Sequence, residues 1–304
     1  MTEATHRRKS AIQRYMTSKV AGGVSLSLIC AVWGSTFVLN KDALRFVGVF
    51  FFLALRFLLA TVLLFGYASL VRWNQLKLAI KEPLVYLAGI ALFLGYCLQS
   101  LGLRVIEPAT SGFITGLSVA IVPIAAVVLG ARVKPLHIVA ALIGVAGLYL
   151  LSYPLSSANL GGEFVTLMCA VAFALQIVLT EKLPRELDPI SVVAVEVAIV
   201  TVFSVIVSFT PLETAPLGRS LVGFDQGEVL LAIFIGGAIA TALALVTQTH
   251  FQRYMPSTEV AIVYNLEPLF ALLFSVLIDH LNPSYFALVG GVLVLASMTT
   301  SALA

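Results

Sequence analysis

The feature that most constrains this chain is a succession of ten apolar runs, divided by short polar breaks, along 304 residues. A helix needs about 20 apolar residues to cross a hydrocarbon core about 30 Å thick. The runs fall at residues 20–39, 49–71, 84–103, 109–130 and 136–151, then at 161–180, 189–209, 229–249, 258–278 and 285–304. The fifth is slightly short for a span, for which the usual minimum is about 17 residues. Composition agrees: 60% of residues are hydrophobic and 11% charged, where soluble domains carry about 25% charged residues. So few charges cannot cover a water-soluble body of this size, which excludes a soluble enzyme. Barrel strands would alternate in polarity over about 10 residues, and these runs are continuous. The expected fold is an all-α membrane protein with ten transmembrane helices.

Charge sets the expected orientation. With the amino terminus inside, the inner segments hold Arg7, Arg8, Lys9, Arg14, Lys19, Arg72, Lys77, Lys81, Arg132, Lys134, Lys182, Arg185 and Arg253, and the outer loops hold Lys41, Arg45, Arg104 and Arg219. This asymmetry follows the positive-inside rule and predicts that both termini are cytoplasmic. The basic start resembles a signal peptide, but its apolar run is full span length and lacks a small-x-small site, so it reads as an uncleaved first span. The net charge of +3, without a long basic run, gives no footprint for nucleic acid. Cys30, Cys97 and Cys169 show no CxxC spacing, and His6, His137, His250 and His280 are scattered, so no metal site, disulfide or cofactor is expected.

The two halves read alike. Leu28-Ile29-Cys30-Ala31-Val32 matches Leu167-Met168-Cys169-Ala170-Val171, and Glu107-Pro108-Ala109-Thr110 falls where Met255-Pro256-Ser257-Thr258 falls. Val122-Pro123 is matched with Glu267-Pro268, and Lys134-Pro135 with Asn282-Pro283. Five spans per half turn the second copy upside down, the inverted repeat of many secondary transporters. The expected organisation is a basic cytoplasmic tail (1–19), a first five-helix repeat (20–152), a linker (153–160) and an inverted second repeat (161–304).

Three residues carry charge deep in spans, and a charge at helix centre costs about 2.5–3.5 kcal/mol to insert, which marks it for function. Glu267 lies about 14 Å into its span at 1.5 Å per residue, near the midplane. Pro268 beside it removes a backbone donor and frees the Tyr264 carbonyl, so a kink is expected there. With the Asn265 amide and the Tyr264 hydroxyl, this forms a set suited to an ammonium group. Arg56 and Glu196 occupy corresponding depths in the two halves, about 11 Å apart, too far for a direct ion pair. Arg56 is read as a substrate contact suited to a carboxylate, although its stem is also long enough to snorkel to the outer interface, and Glu196 is read as a gating or coupling residue. Trp33, Tyr96, Gln99 and Gln176 join the expected substrate contacts, since flat apolar area with amide or hydroxyl groups is how a mostly apolar pocket orients a small ligand. Pro123 and Pro268 are expected bending points during alternating access, and Gly112 and Gly116 an expected helix-packing face.

Ala31-Val32-Trp33-Gly34-Ser35-Thr36-Phe37, Arg56 and Asn265-Leu266-Glu267-Pro268-Leu269-Phe270-Ala271-Leu272-Leu273 together resemble the EamA-type members of the drug/metabolite transporter superfamily. The resemblance covers nearly the whole chain and implies ten spans in two repeats and export of amino acids, aromatic ones among them, or related metabolites across a bacterial inner membrane. It departs at Gly130-Ala131-Arg132 and Ile278-Asp279-His280, where the family often has Gly-Glu-Arg. The expected function is facilitated export of small amino acids by a monomer embedded in the bilayer. A proton-coupled drug or metabolite exporter is the alternative. Sugar-phosphate exchange fits less well, because only Arg56 lies deep enough to meet phosphate. A lipid-acting enzyme finds no nucleophile-base pair.

Overall fold

The computed structural model describes residues 3–151, 159–278 and 282–303, and among them every regular element is helical. The first half comprises α1 (Glu3–Ala43), α2 (Val49–Val71), α3 (Trp73–Lys81), α4 (Pro83–Leu103), α5 (Pro108–Gly116), α6 (Ser118–Val128) and α7 (Pro135–Leu151). The second comprises α8 (Leu160–Glu181), α9 (Pro189–Ser208), α10 (Leu217–Gly223), α11 (Gly227–Phe234), a π-helical segment (Ile235–Leu243), α12 (Ala244–Phe251), α13 (Ser257–Tyr264), α14 (Leu266–Ile278) and α15 (Tyr285–Ala302). Among the described residues nine helical stretches are long and apolar enough to cross a membrane, and α7, at 17 residues, is a shorter apolar helix. All ten apolar runs are therefore helical. The expected linker lies outside the described residues except at Asn159 and Leu160, as do Asp279 and His280.

Local chemistry sets the helix ends. Proline opens α4, α5 and α9, where its missing N–H costs nothing. Side chains of Glu82, Asn159, Asp188 and Ser284 accept from otherwise orphaned N–H groups at the starts of α4, α8, α9 and α15. Three features depart from the sequence reading. The segment expected as a tail before residue 20 is continuous with the first span in α1, and the loops contain the short helices α3 and α10.

The third departure concerns the fourth and ninth spans, which are broken. The fourth is interrupted at Leu117, not at Pro123, which lies inside an uninterrupted α6. Leu117 N–H donates to the Ile114 carbonyl and Ala120 N–H to that of Leu117, so the chain tightens by one three-residue turn there. The ninth breaks at Asn265, whose N–H donates to the Ile262 carbonyl, three residues before Pro268, as the kink expected beside Glu267 requires. Leu117 stands nine residues past Pro108, and Asn265 nine past Pro256. The two breaks thus match, whereas Pro123 and Pro268, 15 and 12 residues past those same prolines, do not.

The most extensive packings are α4 on α8, α7 on α15 and α2 on α9, and each joins one half of the chain to the other. In lipid such contacts depend on close approach of backbones, not on expulsion of water. Gly147 and Gly290 provide it between α7 and α15: a Cβ on Gly290 would lie 2.3 Å from the Leu151 nitrogen, and one on Gly147 would lie 2.9 Å from the Gly290 carbonyl oxygen. The three cysteines are free and buried.

Candidate functional site

Between the halves lies a cavity of about 60 Å³ lined from nine helices: α1, α2, α4, α8, α12 and the broken pairs α5–α6 and α13–α14. A water needs about 10–15 Å³ by this measure, so the space holds a few waters and its walls must part before a metabolite enters. Of the residues expected at a site, Trp33, Arg56, Tyr96, Gln99, Gln176, Tyr264 and Glu267 line this cavity together.

Arg56 is 1% exposed, so it does not snorkel to an interface. Its Nε donates to Thr241 Oγ1 at 3.1 Å, and its guanidinium lies over the Tyr96 ring, 4.8 Å from the centroid, with Phe57 at 5.6 Å. The π-helical segment supplies both Thr241 and the space for the guanidinium: a Cβ on Gly236 would come within 3.0 Å of Arg56 Nε. No carboxylate lies in ion-pair range of Arg56 among the described residues, and Glu196 is not its partner. Glu267, one turn after Tyr264, likewise has no hydrogen-bond or ion-pair partner among the described residues, and the buried Tyr264 hydroxyl is also unpartnered. One guanidinium and one carboxylate thus face a single cavity without each neutralising the other.

The aromatic side chains are fixed by their neighbours. Trp33 Nε1 donates to the Ala240 carbonyl at 2.7 Å in the π-helical segment, and its ring meets Tyr264 edge-on at 5.0 Å. Tyr96 is held edge-on by Phe173 at 5.2 Å and Phe57 at 4.9 Å. Gln99 Nε2 donates to Thr115 Oγ1 at 3.3 Å.

Four expected residues lie elsewhere. Asn265 is fully buried but faces α7, where a Cβ on Gly144 would lie 2.4 Å from its Nδ2. Glu196 stands behind the cavity wall and reaches it only through Gln176, whose Nε2 donates to Glu196 Oε2 at 3.4 Å. Pro123 does not line the cavity. Pro268 packs against Gly116, where a Cβ would lie 2.9 Å from its Cγ, so the two helix breaks meet. Of the expected glycine face, Gly116 is a tight contact, and Gly112 is not. Sequence reasoning missed Thr241 and Phe173. The Gly236-Gly237 pair in an otherwise bulky span was the available signal for the first.

A family model for the EamA-like transporter family matches residues 21–153 and again 160–302. The chain belongs to the EamA-like transporter family. This EamA-like transporter is 30% identical over 267 residues to an uncharacterized transporter of Archaeoglobus fulgidus, covering 86% of this chain and 80% of that one. A second uncharacterized transporter of that organism is 23% identical over 287 residues, covering 90% and 94%. A chain in a crystal structure, 19% identical, superposes with a TM-score of 0.74 over 93% of this EamA-like transporter and 97% of its own length, a likeness of fold. The protein is a multi-pass membrane transporter.

Proposed function

We propose that the chain is a facilitative carrier of small zwitterions, amino acids or close relatives, working by alternating access around the central cavity. The observation that carries this reading is a guanidinium and a carboxyl group on one cavity, neither with an ion-pair partner among the described residues: Arg56 suits a carboxylate and Glu267 an ammonium group. Both charges are costly at membrane depth, and a zwitterion bridging them offsets that cost only when bound. Trp33, Tyr96, Phe173 and Tyr264 offer apolar faces to the rest of the solute. The repeated family match and the matching helix breaks support two repeats, 20–152 and 161–304, with the second inverted. The charge asymmetry supports both termini being cytoplasmic; an inner membrane setting, export as the direction and a monomer as the working unit belong to the same proposal.

Uptake of a labelled amino-acid panel into proteoliposomes without a pH gradient tests the reading. Saturable flux that is lost in Glu267→Gln is expected, and no flux for any amino acid refutes it. The second reading, a proton-coupled drug or metabolite exporter, draws on Glu196, a buried carboxylate one hydrogen bond behind the cavity with Oε1 unpartnered. It requires flux that appears only when a pH gradient is imposed.

A further inference from the structure

A second cavity, about 260 Å³ in volume, lies at the end of α8, the start of α9 and the end of α12. Its rim residues Pro184 and Arg185 are exposed, and Thr180, Thr249 and Gln252 form its polar inner wall. Four buried side chains separate it from the central cavity. Gln176 and Gln248 line the central side, and Thr180 and Gln252 the other.

These four form one hydrogen-bonded ladder. Gln248 Nε2 donates to Gln176 Oε1 at 3.0 Å and to Gln252 Oε1 at 3.2 Å. Gln176 Nε2 donates to Thr180 Oγ1 at 3.0 Å, and Gln252 Nε2 to the Ile177 carbonyl at 2.7 Å. The helices that bear the ladder, α8 and α12, are not among the closely packed pairs, so the long amide side chains bridge an interval that the backbones leave open. Methyl and methylene groups would fill such an interval with no polar group to rehydrate, whereas Gln and Thr close it by hydrogen bonds between helices. An amide wall is different: each of its hydrogen bonds can be exchanged for one to water or to a polar solute at little net cost. Upstream of α12 the π-helical segment breaks the regular α-ladder, a feature that concentrates at functional sites.

We infer that the second cavity is an access site on the transport path, taking the same polar solute, and that the Gln176–Gln248–Gln252–Thr180 ladder is the gate between it and the central cavity. The gate opens when α12 moves from α8, breaking the Gln248–Gln176 and Gln252–Ile177 bonds. Arg185 and Arg253, the latter held by the Leu187 carbonyl, suit the carboxylate end of that solute, and Glu181 on the same wall suits its ammonium end. The solute class rests on the proposed function; the gate does not.

The test uses the full chain in vesicles, with Cys30, Cys97 and Cys169 replaced and a single cysteine introduced. Leu245→Cys reports on the central cavity and Thr249→Cys on the second. A membrane-impermeant maleimide is expected to label Thr249→Cys quickly from one side only, and Leu245→Cys slowly. Adding Gln248→Met and Gln252→Leu is expected to speed Leu245→Cys labelling about tenfold or more, as when two hydrogen bonds are removed from a closed state, and to leave Thr249→Cys unchanged. An unchanged Leu245→Cys rate, or a Thr249→Cys that resists label from both sides, overturns the gate. Should the double replacement unfold the chain, seen as a lowered midpoint of thermal unfolding, Gln252→Asn shortens one arm by a methylene and reads the same rate. All these rates are measured without solute. Protection of Leu245→Cys by a member of the amino-acid panel supports the solute class, and its absence counts against that class alone.

Discussion

Replacing Thr241 with Val keeps the shape of a fully buried side chain and removes the one oxygen that holds Arg56 Nε, 3.1 Å away. A hydrogen bond to a charged group contributes about 1.5–3 kcal/mol, and most of that is lost because no water replaces the acceptor. What remains is the stacking of the guanidinium on Tyr96, 4.8 Å from the ring centroid, which contributes about 2 kcal/mol when desolvated. Arg56 should therefore stay inside the protein but lose its fixed orientation. If half of the lost bond energy is used to present the guanidinium to solute, the half-saturation concentration for uptake rises about threefold to tenfold, taking 1.4 kcal/mol per factor of ten. The assay is concentration-dependent uptake in proteoliposomes of the amino acid selected by the panel, beside thermal unfolding of the purified protein. Thr241→Ser, which keeps the oxygen, should restore the wild-type value. A Val variant within about twofold of wild type would refute the anchoring argument, as would a Ser variant as impaired as Val. A lower unfolding midpoint with unchanged half-saturation would reduce Thr241 to a packing residue.

Three further outcomes follow from the geometry. Gly290→Ala places a Cβ 2.3 Å from the Leu151 nitrogen; it should destabilise the α7–α15 contact by about 1–3 kcal/mol in thermal unfolding, and an unchanged midpoint would mean the helices slide apart freely. Asn265→Ala should leave half-saturation unchanged, because its amide faces Gly144 and not the cavity; a large rise would place it at the solute. Asp188→Ala removes the acceptor for Ser191 N–H at the start of α9, with an expected loss of about 1 kcal/mol; no change in midpoint would show that solvent caps the helix equally well.

The helices were legible in the sequence because a span must be apolar over its whole length, and Pro83, Pro108 and Pro189 marked where three of them start. That Arg56 stands inside a helix was legible too, but its direction was not. Whether a long side chain turns inward depends on a vacancy across the interface, here at Gly236, and on an acceptor from another span, here Thr241. Asn265 illustrates a limit of reasoning by depth. Successive residues on a helix point about 100° apart, so Tyr264 and Glu267 share a face that Asn265 leaves. The break at Leu117 had no proline of its own to announce it; Pro268, which packs on the neighbouring Gly116, belongs to another span. Helices α3 and α10 were missed because neither is a long apolar run.

The π-helical segment has a consequence for how this span tolerates change. A π turn absorbs one residue more than an α turn, and one residue corresponds to about 100° of rotation in an α-helix. One residue can therefore be lost within Ile235–Leu243 as the segment relaxes to a regular α-ladder, with the phase of α12 and the direction of Gln248 and Gln252 kept, whereas one residue lost from the regular turns between Ala244 and Thr247 would turn both glutamines away from α8. The π-helical segment is the part of this span that tolerates a change in length, and relatives one residue shorter there should carry the same wall.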